Sequence, residues 1–372
     1  MTTAQADSPL GRLIREQIRA DGPLSLAQYM ALALGHPKHG YYITRDPLGS
    51  AGDFTTAPEI SQMFGEMIGL WCVDVWQSLG APGAFRLVEL GPGRGTLMAD
   101  LLRAAGVVPA FRAALDIWMV ETSPVLSGLQ QTTLAAIKPP VHWTDHLASV
   151  PDGPAIFIAN EFFDALPVRQ FQMTQTGWRE RMVGLEGERL ILALAPDAPG
   201  AIVADLPRNA PLGAVGELSP DSLGIATELA GRIAAANGAA LIIDYGPAES
   251  GLGDSVQAMK AHAFTDILAN PGAADLTAHV DFARLARAAR SAGAQTLGPV
   301  GQGDFLHALG IAARAARLAA KGGRAADAVT AALHRLTAPD QMGTLFKVLA
   351  LTQAGHPSPA GFAPVTSSRR PP

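Results

Sequence analysis

The sequence predicts a Rossmann-like α/β fold with a mostly parallel sheet, on three observations. Between Phe85 and Leu351, short apolar runs of strand length alternate with helical stretches. The runs are apolar throughout rather than at every second residue, as expected of strands covered by helices on both faces. One of them, Leu87-Val88-Glu89-Leu90, runs directly into Gly91-Pro92-Gly93-Arg94-Gly95, and a helix opens at Thr96. A glycine-lined bend from strand to helix lets the backbone approach a bound ligand closely and offers it the free N–H groups of the helix start.

Composition bounds the rest. A chain of 372 residues suffices for one large domain with insertions, or for two. With 48% hydrophobic and only 16% charged residues it should bury a large core, and a net charge of -5 gives no basic footprint for nucleic acid. Cys72 is the only cysteine, so no internal disulfide or cysteine-based metal site is possible, which fits a reducing compartment. It sits in the apolar run Ile68–Val73 and is expected to be buried. No run reaches the ~18 apolar residues of a membrane-spanning helix. Met1–Pro9 lacks the basic-then-apolar pattern of a secretory signal, and it carries Asp7 and no arginine. The expectation is a cytoplasmic protein with a bacterial composition.

In chain order, residues 1–80 read as an N-terminal helical cap with a lid loop. Ser8 caps a helix opened by Pro9, and Ser25 caps a second reaching Leu34. Gly35 to Pro58 holds turn formers and no period, the mark of a long and functional loop. Pro58-Glu59 opens a third helix to Leu79, with Ile60, Met63, Phe64, Met67, Ile68 and Trp71 at helical spacing. Residues 81–355 read as the Rossmann-like domain. Its expected strands are Phe85–Leu90, Asp116–Val120, Val141–Trp143, Ala155–Ala159, Ala239–Asp244, Gln295–Leu297 and Thr344–Leu351. Helices are expected at Thr96–Ala105, Pro124–Ala136 and Ser219–Ala236. Two insertions interrupt it: an antiparallel meander at 168–194, and Ala/Arg-rich helices at 301–337 broken at Gly322-Gly323. Residues 356–372, rich in Pro and Ser, read as a disordered tail.

The glycine bend admits a dinucleotide or S-adenosylmethionine, or no ligand at all. Its Gly-x-Gly-x-Gly spacing is not the dinucleotide form. Glu89, two residues before Gly91, would accept from an ammonium group and repel a pyrophosphate. This favours S-adenosylmethionine, held by Glu89 and by the backbone of Gly91, Pro92, Gly93 and Gly95. Glu121, ending the second strand, is placed to grip the ribose hydroxyls. Asp145 either contacts adenine or caps a helix.

These residues, together with four further stretches, make the chain resemble the MidA-like family, whose members include a mitochondrial complex I assembly methyltransferase. The stretches are Gly40-Tyr41-Tyr42 with Gly52-Asp53-Phe54-Thr55-Thr56-Ala57-Pro58-Glu59-Ile60-Ser61, then Asn160-Glu161-Phe162-Phe163-Asp164-Ala165-Leu166-Pro167, Asp244-Tyr245-Gly246, and Asp275–Phe282. A late Gly343–Leu349 is also similar. The resemblance spans about residues 10 to 352. It implies a class I methyltransferase fold with a helical N-terminal cap and S-adenosylmethionine as donor. For the mitochondrial member it implies arginine methylation on a respiratory complex subunit. One departure is Pro247, where the family pattern has His; if that position touches substrate, acceptor choice changes with it.

Methyl transfer needs donor and acceptor held in line. Asn160 and Glu161 end the fourth strand beside the switch point of the sheet, where the acceptor belongs. An arginine acceptor stays protonated, and carboxylates can orient it by paired, charge-assisted hydrogen bonds. Glu161 is the candidate for this, assisted by Asp164 if a helical turn brings both to one side. The alternatives are that Glu161 binds a structural arginine and Asp164 caps a turn before Pro167. Asp53, Thr55 and Thr56 in the lid either contact the donor or hold a turn. Tyr245 either lines the acceptor pocket or packs in the core, and His279 takes part in the chemistry directly, supports the site from behind, or caps a helix. His36 and His39 have a metal-like spacing, but no further ligands cluster with them, and no metal is expected. Three other functions stay open: a donor-binding assembly factor with little turnover, a small-molecule methyltransferase, and an NAD-dependent oxidoreductase.

Overall fold

The computed structural model describes residues 8–46, 49, 53, 55–320 and 322–362. Its centre is a seven-stranded sheet of β1 (Phe85–Leu90), β2 (Leu115–Val120), β3 (Val141–Thr144), β4 (Ala155–Asn160), β5 (Gly238–Tyr245), β6 (Ala294–Gly301) and β7 (Phe346–Gln353). The spatial order is 6-7-5-4-1-2-3. β1 pairs in parallel with β2 and β4, β2 with β3, and β4 with β5; β7 runs antiparallel to both of its neighbours. The chain leaves β1 toward β2 and β3, then returns to lay β4 on the other side of β1. That reversal opens a crevice at the carboxyl ends of β1 and β4.

Alternate residues of the strands feed two cores. Leu87, Ile117, Ile156, Ile158 and Leu241 face one, and Val88, Leu90, Phe157, Ala159 and Ile242 face the other. Helices cover both, which is why the strands read as unbroken apolar runs.

The N-terminal helices α1 (Pro9–Asp21) and α2 (Leu26–Gly35) begin where the sequence predicts. The Ser8 hydroxyl accepts from the Gly11 N–H, and Ser25 forms a capping box with Gln28. They form a separate apolar cluster with Tyr41, Val183 and Leu276. The third expected helix is broken. A turn at Ala57–Ile60 is followed by α3 (Gln62–Ser78), because Ser61 is extended and its hydroxyl accepts from the Met63 N–H. α3 is buried nearly all round in the core of the main sheet, so it is part of that layer and not of the N-terminal cap. Its Gly65 and Gly69 meet α4 (Thr96–Ala105) backbone to backbone; a Cβ at Gly69 would lie 2.6 Å from the Leu101 carbonyl oxygen.

The meander is formed by Arg169–Thr174, Gly177–Glu186 and Arg189–Leu194, extended by Val215–Leu218 and Leu24–Ser25. A small sheet of Gln257–Lys260, Ala263–Thr265 and Asp275–Thr277 covers the crevice region. Neither Val215–Leu218 nor the small sheet is among the expected strands. The helical insertion is three helices, Gln302–Ala308, Ile311–Ala319 and Gly323–Thr337. Arg314 and Arg103 both pair with the buried Glu66 of α3, tying that insertion to the core. The expected tail contains a packed segment: Phe362 is buried against Phe305. Residues 363–372 lie outside the described residues.

Candidate active site

The crevice at the strand ends is a cavity of about 620 Å³. Glu89, Gly91, Pro92 and Gly93 line it from β1 and the glycine bend, Glu121 from the end of β2, and Asn160, Glu161 and Asp164 from the end of β4. Thr55, Thr56 and Tyr245 also line it. Gly91, Gly93 and Gly95 all have left-handed φ, of 61, 55 and 79°, which explains why the bend needs glycine at alternate positions.

Glu89 is buried, and its Oε2 has no hydrogen-bond partner. Burial, with the nearby Glu121, pushes its carboxyl up to about 8. A buried acid with an orphaned oxygen at the mouth of a glycine bend fits the ammonium end of an amino-acid-bearing ligand. Glu121 is held in place, Oε1 accepting from the Ser123 N–H at 2.7 Å and Oε2 from the Gln130 amide at 3.0 Å. Gln130 also donates to the Gly93 carbonyl at 2.8 Å and accepts from Trp143 at 3.0 Å. It therefore couples the bend to Glu121, a role that its place on the helix after β2 did not reveal.

At the end of β4, Glu161 has φ 49°, uncommon for a non-glycine residue. Its N–H donates to Ile243 O at 2.9 Å, and its Oε1 accepts from the Ala57 N–H at 2.8 Å and the Asn160 amide at 3.2 Å. Asn160 Oδ1 is buried without a partner. Burial pushes Glu161 up to about 7. Burial first, then the neighbouring Glu161, raises the pKa of Asp164. No helical turn joins the pair, and both line the cavity all the same. Among the described residues no arginine lies within ion-pair distance of Glu161, and Arg335 acts on it only from farther away.

A third carboxylate, Asp275, closes this end. It accepts from the Tyr42 hydroxyl at 2.9 Å, and burial pushes it up to about 8. The fully buried Asp244 braces the loop: its Oδ2 accepts from the N–H groups of Phe163 and Asp164 at 2.9 and 3.2 Å. Asp275 and Asp244 both lie in stretches that carry the family resemblance, but the sequence alone marks neither as a site acid, because their burial depends on Tyr42 and on the loop after β4.

Three expected cofactor residues are not part of the cavity lining. Asp145 is exposed on the loop after β3, beside His146, and outside the cavity lining. The following short helix starts from His146 without a side-chain cap, so Asp145 does not cap it either. The Thr144 hydroxyl closes a turn with His146. Gly95 serves the bend as the residue before α4 and is not in the lining. Asp53 accepts from the Tyr41 hydroxyl at 2.7 Å and the Ala261 N–H at 2.6 Å, so it fastens the loop to the small sheet. Gly52 and Phe54 lie outside the described residues. Tyr245 lines the cavity and packs on Phe346 and His279. His279 and Pro247 line a neighbouring cavity instead, and the helix after His279 is capped by Asp281. The His36 and His39 rings stack at 5.3 Å.

A sheet of this order, with an acid and a glycine bend at its switch point, defines a class I methyltransferase fold. Residues 67–300 match the model of a family described as "Putative S-adenosyl-L-methionine-dependent methyltransferase". The mouse protein named "Protein arginine methyltransferase NDUFAF7, mitochondrial" is 40% identical over 371 residues, spanning 92% of this chain and 84% of that one. Its Drosophila melanogaster homologue is 36% identical with the same coverage. A crystal structure from Burkholderia thailandensis, bound to S-adenosyl-homocysteine, is similar with a TM-score of 0.85 and 29% identity, over 97% of this chain and 98% of that one. This chain belongs to the MidA-like family of S-adenosylmethionine-dependent methyltransferases, and S-adenosylmethionine is its cofactor.

The bend can be tested sterically. A Cβ at Gly91 would meet Phe162 at 2.8 Å from a left-handed φ. Gly91→Ala is expected to weaken S-adenosylhomocysteine at least about tenfold and to cost about 1–3 kcal/mol of stability. Calorimetric titration and thermal unfolding measure the two effects; wild-type affinity in the variant would show that the bend does not carry the ligand.

Proposed function

We propose that this chain methylates an arginine side chain of a protein. The observation that carries this reading is the acceptor end of the cavity. Glu161, Asp164 and Asp275 converge there, and among the described residues none of them has a cation of the chain within ion-pair distance, Arg335 acting on Glu161 only from farther away. Such a set of acids suits a guanidinium, which is planar, always charged and rich in donors. The names of the mouse and fly relatives point to the same acceptor. The family resemblance makes a respiratory-complex subunit the partner class to try first.

Glu89 would hold the ammonium group of S-adenosylmethionine, Glu121 its ribose hydroxyls, and the Gly91–Gly93 backbone its amino-acid end. When bound, the cofactor supplies a methyl group activated by a sulfonium. Glu161 Oε1 is already occupied by Ala57 and Asn160, which leaves Oε2 to accept from the acceptor nitrogen and orient it. The nitrogen must shed a proton as it gains the methyl group and S-adenosylhomocysteine leaves, and Oε2 of Glu161 would take it.

The test is incubation with labelled donor and a cell lysate, followed by mass spectrometry to locate the label. Label on arginine supports the reading; label only on another residue type overturns it. The pH dependence follows from the same acids. Without acceptor they hold protons near neutrality, because burial raises their pKa values to about 7 for Glu161 and about 8 for Asp275. A guanidinium needs them ionised, so acid protonates the site and weakens binding. kcat/KM for the protein acceptor is expected to rise at least about tenfold from about pH 6 to about pH 8, then level off. A flat profile would remove these carboxylates from acceptor binding.

A further inference from the structure

A second cavity, of about 540 Å³, lies beside the reaction cavity, and the half-exposed Leu345 lines both. The two are separated by the paired ends of β5 and β7. Tyr245 and Phe346, partners in that pairing, line the reaction cavity. Gly246 and Lys347, each one residue along, line the second.

Lys347 is the unusual group there. It is half-buried, and its ammonium donates only to the carbonyl oxygens of Thr344 and Leu345. Burial lowers its pKa. Among the described residues it has no carboxylate within ion-pair distance. The acids of the same cavity are otherwise engaged. Asp281 accepts from Ser250 at 2.8 Å and from the Arg284 N–H at 2.9 Å, and it pairs with the Arg284 guanidinium at 3.3 Å. Glu217 accepts from Gln170 at 2.7 Å and from the N–H and hydroxyl of Ser255. Arg284 donates to the carbonyls of Glu217 and Asp205. Lys347 is thus a partly buried cation with no counter-ion among the described residues, lining a cavity next to the acceptor site.

We propose that the second cavity receives an acidic side chain close in sequence to the methylated arginine, with Lys347 as its counter-ion. The inference rests on the arginine reading above. A chain crossing Leu345 would leave its arginine among Glu161, Asp164 and Asp275, and would bring a flanking Asp or Glu to Lys347. Exposed apolar side chains rim both openings: Phe264 beside the reaction cavity, Leu252 beside the second and Leu345 between them. They suit the peptide between the two charges.

The test uses pairs of short Gly/Ser peptides, each with one arginine, differing only in Glu or Gln within about three residues of it. Methylation rates are measured with S-adenosylmethionine, and peptide affinity by calorimetry with S-adenosylhomocysteine bound. Wild type should favour the best-placed Glu peptide over its Gln twin by about five- to tenfold in KM and in affinity, with kcat little changed. Lys347→Gln should bring that ratio close to one, and Lys347→Glu should turn it toward peptides carrying Lys at the same position. S-adenosylhomocysteine binding by each variant reports that it is folded. Arginine peptides methylated with no Glu preference at any position, or a preference that survives in Lys347→Gln, would overturn the subsite and leave the arginine reading standing. Protein label only on residues other than arginine would overturn both.

Discussion

Replacing Glu161 with Gln is expected to lower methyl transfer by about two to three orders of magnitude while leaving S-adenosylhomocysteine affinity within about threefold. The size follows from what the carboxylate does. Glu161 stands at the end of β4 with a left-handed φ, and a cost of that kind persists only where the surroundings impose it. The Ala57 N–H and the Asn160 amide fix one oxygen, so the other is aimed. An amide at this position keeps the volume and loses the charge. It would also present a donor where a guanidinium already supplies donors, and removing one partner of a desolvated charge pair costs about 2–5 kcal/mol. The donor end of the cavity is built from β1 and β2, and Glu161 makes none of those contacts, so cofactor binding should persist. Labelled transfer to the protein acceptor, beside calorimetry with S-adenosylhomocysteine, separates the two. Near-wild-type transfer in Glu161→Gln would remove this residue from the acceptor chemistry.

The two ends of the cavity were unequally legible in the sequence. The donor end depends on local order: a strand, an acid, a glycine bend and a helix lie within residues 85–105, and short-range physics fixes their geometry. Glu121 could be placed because it ends the next apolar run. Asp145, after the short edge strand β3, stands exposed beside His146 on a turn closed by the Thr144 hydroxyl. The acceptor end depends on distant pairings. Asp275 becomes a buried cavity acid through Tyr42, 233 residues away, and its strand belongs to a three-stranded sheet of short, partly polar segments with no hydrophobic period to announce it. The break in the third expected helix has the opposite scale. The apolar spacing is continuous across Ser61, and one side-chain bond to Met63 outweighs it. Phe362 lies in a stretch whose Pro and Ser content argued for disorder, yet one aromatic ring against Phe305 docks it.

The second large effect is expected at the donor end, where Glu89→Gln should weaken S-adenosylmethionine and S-adenosylhomocysteine by about 30- to 100-fold, about 2–3 kcal/mol. Glu89 is 3% exposed, and burial with the neighbouring Glu121 pushes its carboxyl up to about 8. At pH ~7 the ligand-free site therefore keeps its proton. An ammonium needs the anion, so wild-type binding should release close to one proton, visible as a dependence of the calorimetric heat on the buffer's ionisation enthalpy. The glutamine variant has no such proton to release, and that dependence should shrink with the affinity. Stability should move the other way. A carboxyl whose folded pKa lies above its unfolded value contributes stability that is full below the unfolded pKa and is lost as pH rises toward about 8. At pH ~7 the wild type has already lost most of it, and a neutral amide never had it to lose. The ligand-free variant should therefore melt at or above the wild-type temperature while binding far more weakly. A variant that binds normally, or one that loses affinity and stability together, would show that Glu89 is a structural acid and that the ammonium of the cofactor is held elsewhere.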